Sequence, residues 1–194
     1  MGITVLSSSL LLSFLIRSKS ELQQNLSMLY GTCAVLLYTI SATYHSLNLF
    51  DLTRHTLLHH YFHLADRFMI YVFIAASYMP WLLLQGDVQF GFHVAYFVWA
   101  LALSGVVYTI FFLGRSTNFE LFLYLALGFG PSVFVMYQSW KGVGELALGG
   151  ACYAVGVVFF KMEGQIPAAH AVWHLFVAGG MWIHTHDMWI NFYR

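Results

Sequence analysis

The sequence predicts an all-α membrane protein, a bundle of seven transmembrane helices whose first helix is short or truncated, and three observations predict it. Of 194 residues, 60% are hydrophobic and 8% charged, whereas a soluble domain carries roughly a quarter charged residues. Apolar stretches follow one another with very short connections, most of them near the roughly 20 residues that cross a hydrocarbon core of about 30 Å. None alternates in the manner of a membrane β-strand, and bare backbone is too costly in lipid for such runs to be anything but helices.

The first run, residues 3–16, is short for a full span and is followed by Arg17 and Lys19. A signal peptide is the rival reading, but no basic segment precedes the run and no clear small-residue cleavage site follows it. A clipped first helix is therefore expected. The remaining spans are expected at residues 25–47, 66–84, 90–113, 119–140, 144–160 and 168–190. Pro80 and Pro131 fall inside or near the ends of spans and predict local kinks. Gly150 and Ala154 put small residues on one face of the sixth span, where helices can approach closely. Trp81, Trp140, Trp182, Trp189 and Tyr193 lie near expected helix ends, as interfacial anchors do.

Residues 1–194 read as one domain, with no internal repeat, no low-complexity linker and no phosphate-binding glycine loop. The net charge is zero with histidine neutral, which sets nucleic acid aside as a partner. Cys33 and Cys152 both lie in apolar stretches, so they read as small buried residues and not as a disulfide framework.

Ionisable side chains inside the hydrocarbon region are costly and usually face a protein interior, which makes each a functional hypothesis. The chain has ten histidines, and their placement matters more than their number. In a serial array of spans, the end of the second, the start of the third and the start of the seventh open on one membrane face. His45 lies near the first of these ends, Asp66 opens the third span, and His170 and His174 lie in the first turns of the seventh.

His170 and His174 are four residues apart, one turn along the same helix face, the spacing with which two imidazoles hold one metal ion. Pro167 suits the start of that helix. His45 would supply a third nitrogen, and three histidines plus water form a catalytic-zinc ligand set with an open fourth position. Asp66 can accept a hydrogen bond from the water or steer a ring. Ser41, one turn before His45, can support Asp66 or a substrate oxygen, or return its hydroxyl to its own helix carbonyl. His55, His59, His60 and His63 are expected in the loop between the second and third spans. His93, and His184 and His186 with Asp187, are expected at the opposite interface.

The motif Ser-Ala-Thr-Tyr-His at 41–45, Asp-Arg at 66–67 leading to Ser-Tyr-Met-Pro-Trp at 77–81, and His-Ala-Val-Trp-His at 170–174 resemble the progestin and adipoQ receptor family, which includes haemolysin III-like proteins. Residues 157–176, with Phe-Phe-Lys at 159–161 and Ile-Pro at 166–167, are similar to its macrophage differentiation-factor branch. The resemblance covers nearly everything after about Tyr30. It implies a seven-helix fold with an intramembrane zinc ion held by His45, His170 and His174, and Asp66 as the water-binding carboxylate. Relatives carry an amino-terminal cytosolic segment and a polar start to the first helix, whereas this chain begins within or just before its apolar part.

Two functions are compatible with these residues. The differentiation-factor branch implies a signalling receptor or regulator of Golgi or endolysosomal membranes, with signalling proteins as partners. Related adiponectin receptors and alkaline ceramidases imply a zinc-dependent lipid-amide hydrolase, acting on a ceramide-like or other acyl lipid reached from the membrane. A pore is disfavoured because no ring of acids and no matched pair of interrupted helices marks a pathway. Basic residues leave orientation open, since Arg54, Arg67, Arg115 and Lys161 oppose Arg17, Lys19, Lys141 and Arg194 in a tie. The resemblance alone implies that the cluster side faces the cytosol.

Overall fold

In the computed structural model, residues 2–49, 56–162 and 164–194 are described; His55 therefore lies outside the described residues. Eight α-helices follow in order: α1 (Gly2–Arg17), α2 (Glu21–Leu49), α3 (Leu57–Leu83), α4 (Val88–Phe112), α5 (Thr117–Phe129), α6 (Ser132–Gln138), α7 (Val143–Lys161) and α8 (Ala169–Met188), closed by a π-helical turn, Trp189–Tyr193. No strand occurs among the described residues. Helices occupy all seven stretches where spans are expected, the fifth divided into α5 and α6. Four segments are long and apolar enough to cross a membrane by length and composition alone: Glu21–Leu47, Val88–Phe112, Asn118–Gln138 and Val143–Lys161. The long helices outside that set, α3 and α8, carry most of the histidines and Asp66 and Asp187, which dilute their hydropathy.

Three differences from expectation have local causes. The third helix starts at Leu57 and not at 66, because the Thr56 hydroxyl caps it by accepting from the His59 amide at 3.4 Å. His59, His60 and His63 thus lie on the helix and not in a loop. At Pro131 the chain does more than kink. Proline has no N–H to donate, and with Gly128 and Gly130 alongside it the fifth span breaks into two helices. Pro80, by contrast, is accommodated inside α3, whose end is closed by the Leu84 amide on the Pro80 carbonyl at 3.0 Å. Trp81 and Tyr193 are buried core residues, each 1% exposed, not interfacial anchors.

The chain forms two compact units, Met1–Phe134 and Val135–Arg194. In the first, α1 packs on α2, α2 on α3, and α3 on both α4 and α5. The central helix α3 has two working faces. One carries His59, His63, Asp66 and Phe73 towards α2, where Tyr44 stacks on His63 at 5.1 Å and Tyr30 meets Phe73 at 5.8 Å. The other carries Arg67, Tyr71 and Tyr78 towards α4 and α5. There the Tyr71 ring presses on Gly105, and the Tyr78 hydroxyl donates to the Gly128 carbonyl.

In the second unit α7 packs against α8 along a glycine seam. A Cβ on Gly156 would meet Trp173 and Phe176, and one on Gly149 would stand 2.1 Å from the His184 imidazole. The close approach runs through Gly149, Gly156 and Gly180.

Candidate functional site

In the second unit, α8 begins abruptly. Pro167 and Ala168 precede it, and Ala168 sits in the left-handed region at φ 60°, the one non-glycine residue among those described with positive φ. That conformation costs an L-residue roughly 1–2 kcal/mol, and strain of this kind persists where surrounding structure imposes it, often beside functional groups. It sets the first turn of α8 so that His170 and His174 project on one face. Phe160 of α7 backs this turn, 6.3 Å from the His170 ring and 5.4 Å from the Trp173 ring.

The two imidazoles face each other. Their Nε2 atoms are 3.0 Å apart and the rings are inclined at 61° with centroids 4.7 Å apart. Two nitrogens each about 2.0–2.1 Å from a tetrahedral ion stand about 3.3 Å apart. The pair is therefore already close to the separation of two ligands on one zinc, and both rings are partly buried. The donors are imidazole nitrogens, with no thiolate, which suits zinc with an exchangeable position.

In the first unit, the facing stripes of α2 and α3 gather the other sequence-predicted residues. Tyr44 is the hub: the His45 ring lies edge-on to it at 4.9 Å, His59 at 5.3 Å, and His63 is stacked. Given the Tyr44/His63 and Tyr30/Phe73 contacts, the antiparallel register puts Ser41 within about one turn of the level of Asp66. Ser41 and Asp66 are both buried, 3% and 5% exposed. His60 is exposed, and His93 lies near the start of α4, exposed and bonded to the Gln89 carbonyl at 2.7 Å.

At the opposite end of α8, His186 is exposed, whereas His184 and Asp187 are buried within the protein. His184 donates from Nε2 to the Leu146 carbonyl at 3.1 Å, and Asp187 accepts from Asn191 at 2.8 Å. Close packing at Gly149 draws this histidine inward, and a backbone carbonyl answers it.

A buried polar network in the first unit was missed. Glu120 of α5 receives the Thr109 hydroxyl at 3.4 Å and the Tyr124 hydroxyl at 3.2 Å, and its Oε2 is 3.9 Å from Arg67 Nη1. Tyr124 also donates to the Arg67 carbonyl at 3.0 Å. The available signal was that Glu120 is the only acid between Asp87 and Glu145, placed one turn into an apolar span.

The chain is similar to known proteins along most of its length. The family model described as Haemolysin-III related matches residues 1–185. Monocyte to macrophage differentiation factor of Homo sapiens is 40% identical over 167 residues, covering 86% of this chain and 70% of the relative. The Hemolysin-3 homolog of Bacillus subtilis (strain 168) is 37% identical over 156 residues, covering 78% and 70%. Hemolysin-3 of Bacillus cereus is 34% identical over 155 residues, covering 78% and 68%.

Proposed function

Because the chain belongs to the Haemolysin-III related family, and is therefore a multi-pass integral membrane protein, we propose that it works through a zinc ion held by His170, His174 and His45. Its role on this reading is that of a signalling receptor or regulator in Golgi or endolysosomal membranes. The observation that carries the metal reading is the 3.0 Å approach of the two Nε2 atoms. Two neutral imidazoles at that distance share at most one hydrogen, whereas an ion satisfies both lone pairs. His45 joins them on helix parity, since the end of the second span and the start of the seventh open on one membrane face. As a receptor, the protein would use the metal to pin helices whose arrangement a lipid or protein ligand then biases.

A second reading, a zinc-dependent lipid-amide hydrolase, is favoured by one specific observation: Ser41 and Asp66 are buried on facing helices within about one turn of the same level. A bound zinc ion there would supply Lewis acidity and bring the pKa of water to about 7. Asp66 would hold the attacking water and take its proton, then return it to the leaving amine. The Ser41 hydroxyl would orient the acyl oxygen of a ceramide-like substrate. Burial of both residues excludes bulk water from the reacting centre.

Metal analysis of the detergent-purified protein, together with a ceramide-turnover assay, tests the proposal. One zinc per chain without turnover supports the receptor reading, and zinc with turnover supports the hydrolase. Absence of zinc after purification without chelators rejects both.

A further inference from the structure

Asp66 and Arg67 are neighbours on α3, about 100° apart around the helix, so they serve its two different faces. The Asp66 face, shared with His59, His63 and Phe73, lies against α2. The Arg67 face, shared with Tyr71 and Tyr78, lies against α4 and α5. Whatever fixes Arg67 therefore fixes how far α3 is rolled, and with it where Asp66 points. Apolar packing alone sets roll weakly within lipid, where the hydrocarbon around a helix is as apolar as its partner.

We propose that Glu120 and Tyr124 are positioning residues that hold the roll of α3 by gripping Arg67 through both its side chain and its main chain, and so aim Asp66 at the face of α2 that carries Ser41. As far as it concerns the use made of Asp66, this rests on the metal-site reading above. The grip has three parts. Glu120 Oε2 lies 3.9 Å from the Arg67 guanidinium, in surroundings that leave their side chains 8% and 15% exposed. The single hydroxyl hydrogen of Tyr124 lies between two acceptors, Glu120 Oε1 at 3.2 Å and the Arg67 carbonyl at 3.0 Å. The Tyr124 ring also packs at 4.4 Å on Tyr71, one turn along from Arg67. Tyr71 in turn fills the hollow at Gly105 of α4, where a Cβ would stand 2.3 Å from its ring. A roll of α3 would have to break the ion pair, the carbonyl bond and this steric fit together.

A second polar bond joins the same helices at the other end of α3, where Tyr78 donates to the Gly128 carbonyl. It lies about 16 Å along the helix from Arg67 and supplies the control, because losing it loosens the same helix pair without releasing Arg67.

The experiment uses the full chain carrying Cys33→Ala and Cys152→Ala. Ser41→Cys is combined in turn with Asp66→Cys and with Ala65→Cys, and disulfide cross-linking yields are compared. With the grip intact, position 66 should cross-link in preference to 65. Glu120→Gln and Tyr124→Phe should each abolish that preference, while Tyr78→Phe should lower the melting temperature and leave it unchanged. A preference that survives both Glu120→Gln and Tyr124→Phe overturns the proposal, as does one lost equally in Tyr78→Phe. If Glu120→Gln fails to fold, Tyr124→Phe decides alone. In chains with Asp66 present and cobalt in place of zinc, Glu120→Gln should change the visible absorption of the metal with its stoichiometry preserved. A chain that binds no metal would defeat the proposed function and leave the cross-linking result standing.

Discussion

The two ends of α8 use the same residue in opposite ways. At its start, His170 and His174 turn their Nε2 atoms towards each other at 3.0 Å, behind a strained Ala168. At its other end, His184 gives its Nε2 hydrogen to the Leu146 carbonyl, lies edge-on to Tyr153 and fills the space left by Gly149. One end holds nitrogens facing nitrogens, the arrangement that the proposed ion would bridge. At the other the histidine has a backbone partner, and it is a packing element. What separates the two kinds of histidine is what the ring nitrogen faces, and burial alone does not distinguish them.

Substitution should break this comparison most sharply at the first end. His170→Ala or His174→Ala is expected to remove most bound metal while the helical circular dichroism of the protein is retained, and unchanged metal content would refute their assignment. His184→Ala should do the reverse, keeping the metal and lowering stability by about 1–3 kcal/mol through the lost bond to Leu146 and the space left behind.

Asp66→Asn should come next in size. It keeps the shape and some hydrogen bonding of the side chain but removes the charge and the base. If the protein hydrolyses lipid amides, turnover should fall by a factor on the order of 10² to 10⁴ with zinc retained. Turnover that survives would exclude Asp66 as the base and leave the metal ligands untouched. Without turnover in the parent, the substitution should act only on stability or signalling.

A smaller effect is expected at Gly149→Ala, which would place a methyl group 2.1 Å from His184 Nε2. Overpacking of this kind costs about 1–3 kcal/mol, readable as a lowered melting temperature at unchanged zinc stoichiometry. The smallest belongs to the start of α3. Replacing His59 and His60 together by alanine should leave zinc unchanged, since His59 faces Tyr44 and His60 is exposed. Metal loss there would show that the wrong imidazoles have been chosen.

These contrasts also show what the sequence made legible. The spans were readable because length and apolarity are local properties, and the His170/His174 pair because four residues make one helical turn. The start of α3 was hidden because His59, His60 and His63 interrupt the apolar run that marks a span, while the cap that begins the helix is a single threonine. The role of Glu120 depends on Arg67 and Thr109, which come from two other helices and leave no spacing pattern. The His184 partner is a backbone carbonyl, and a carbonyl is present at every position whatever the sequence. Helix breakage at Pro131 and accommodation at Pro80 are likewise decided by neighbours, since both prolines lack the same N–H.

X-ray absorption at the zinc edge of the purified chain is the most direct measurement of the central claim. It should show three imidazole nitrogens and one oxygen at about 2.0–2.1 Å, falling to two nitrogens or to loss of zinc in His45→Ala. A sulfur shell at about 2.3 Å, or a spectrum unchanged by His45→Ala, would contradict it.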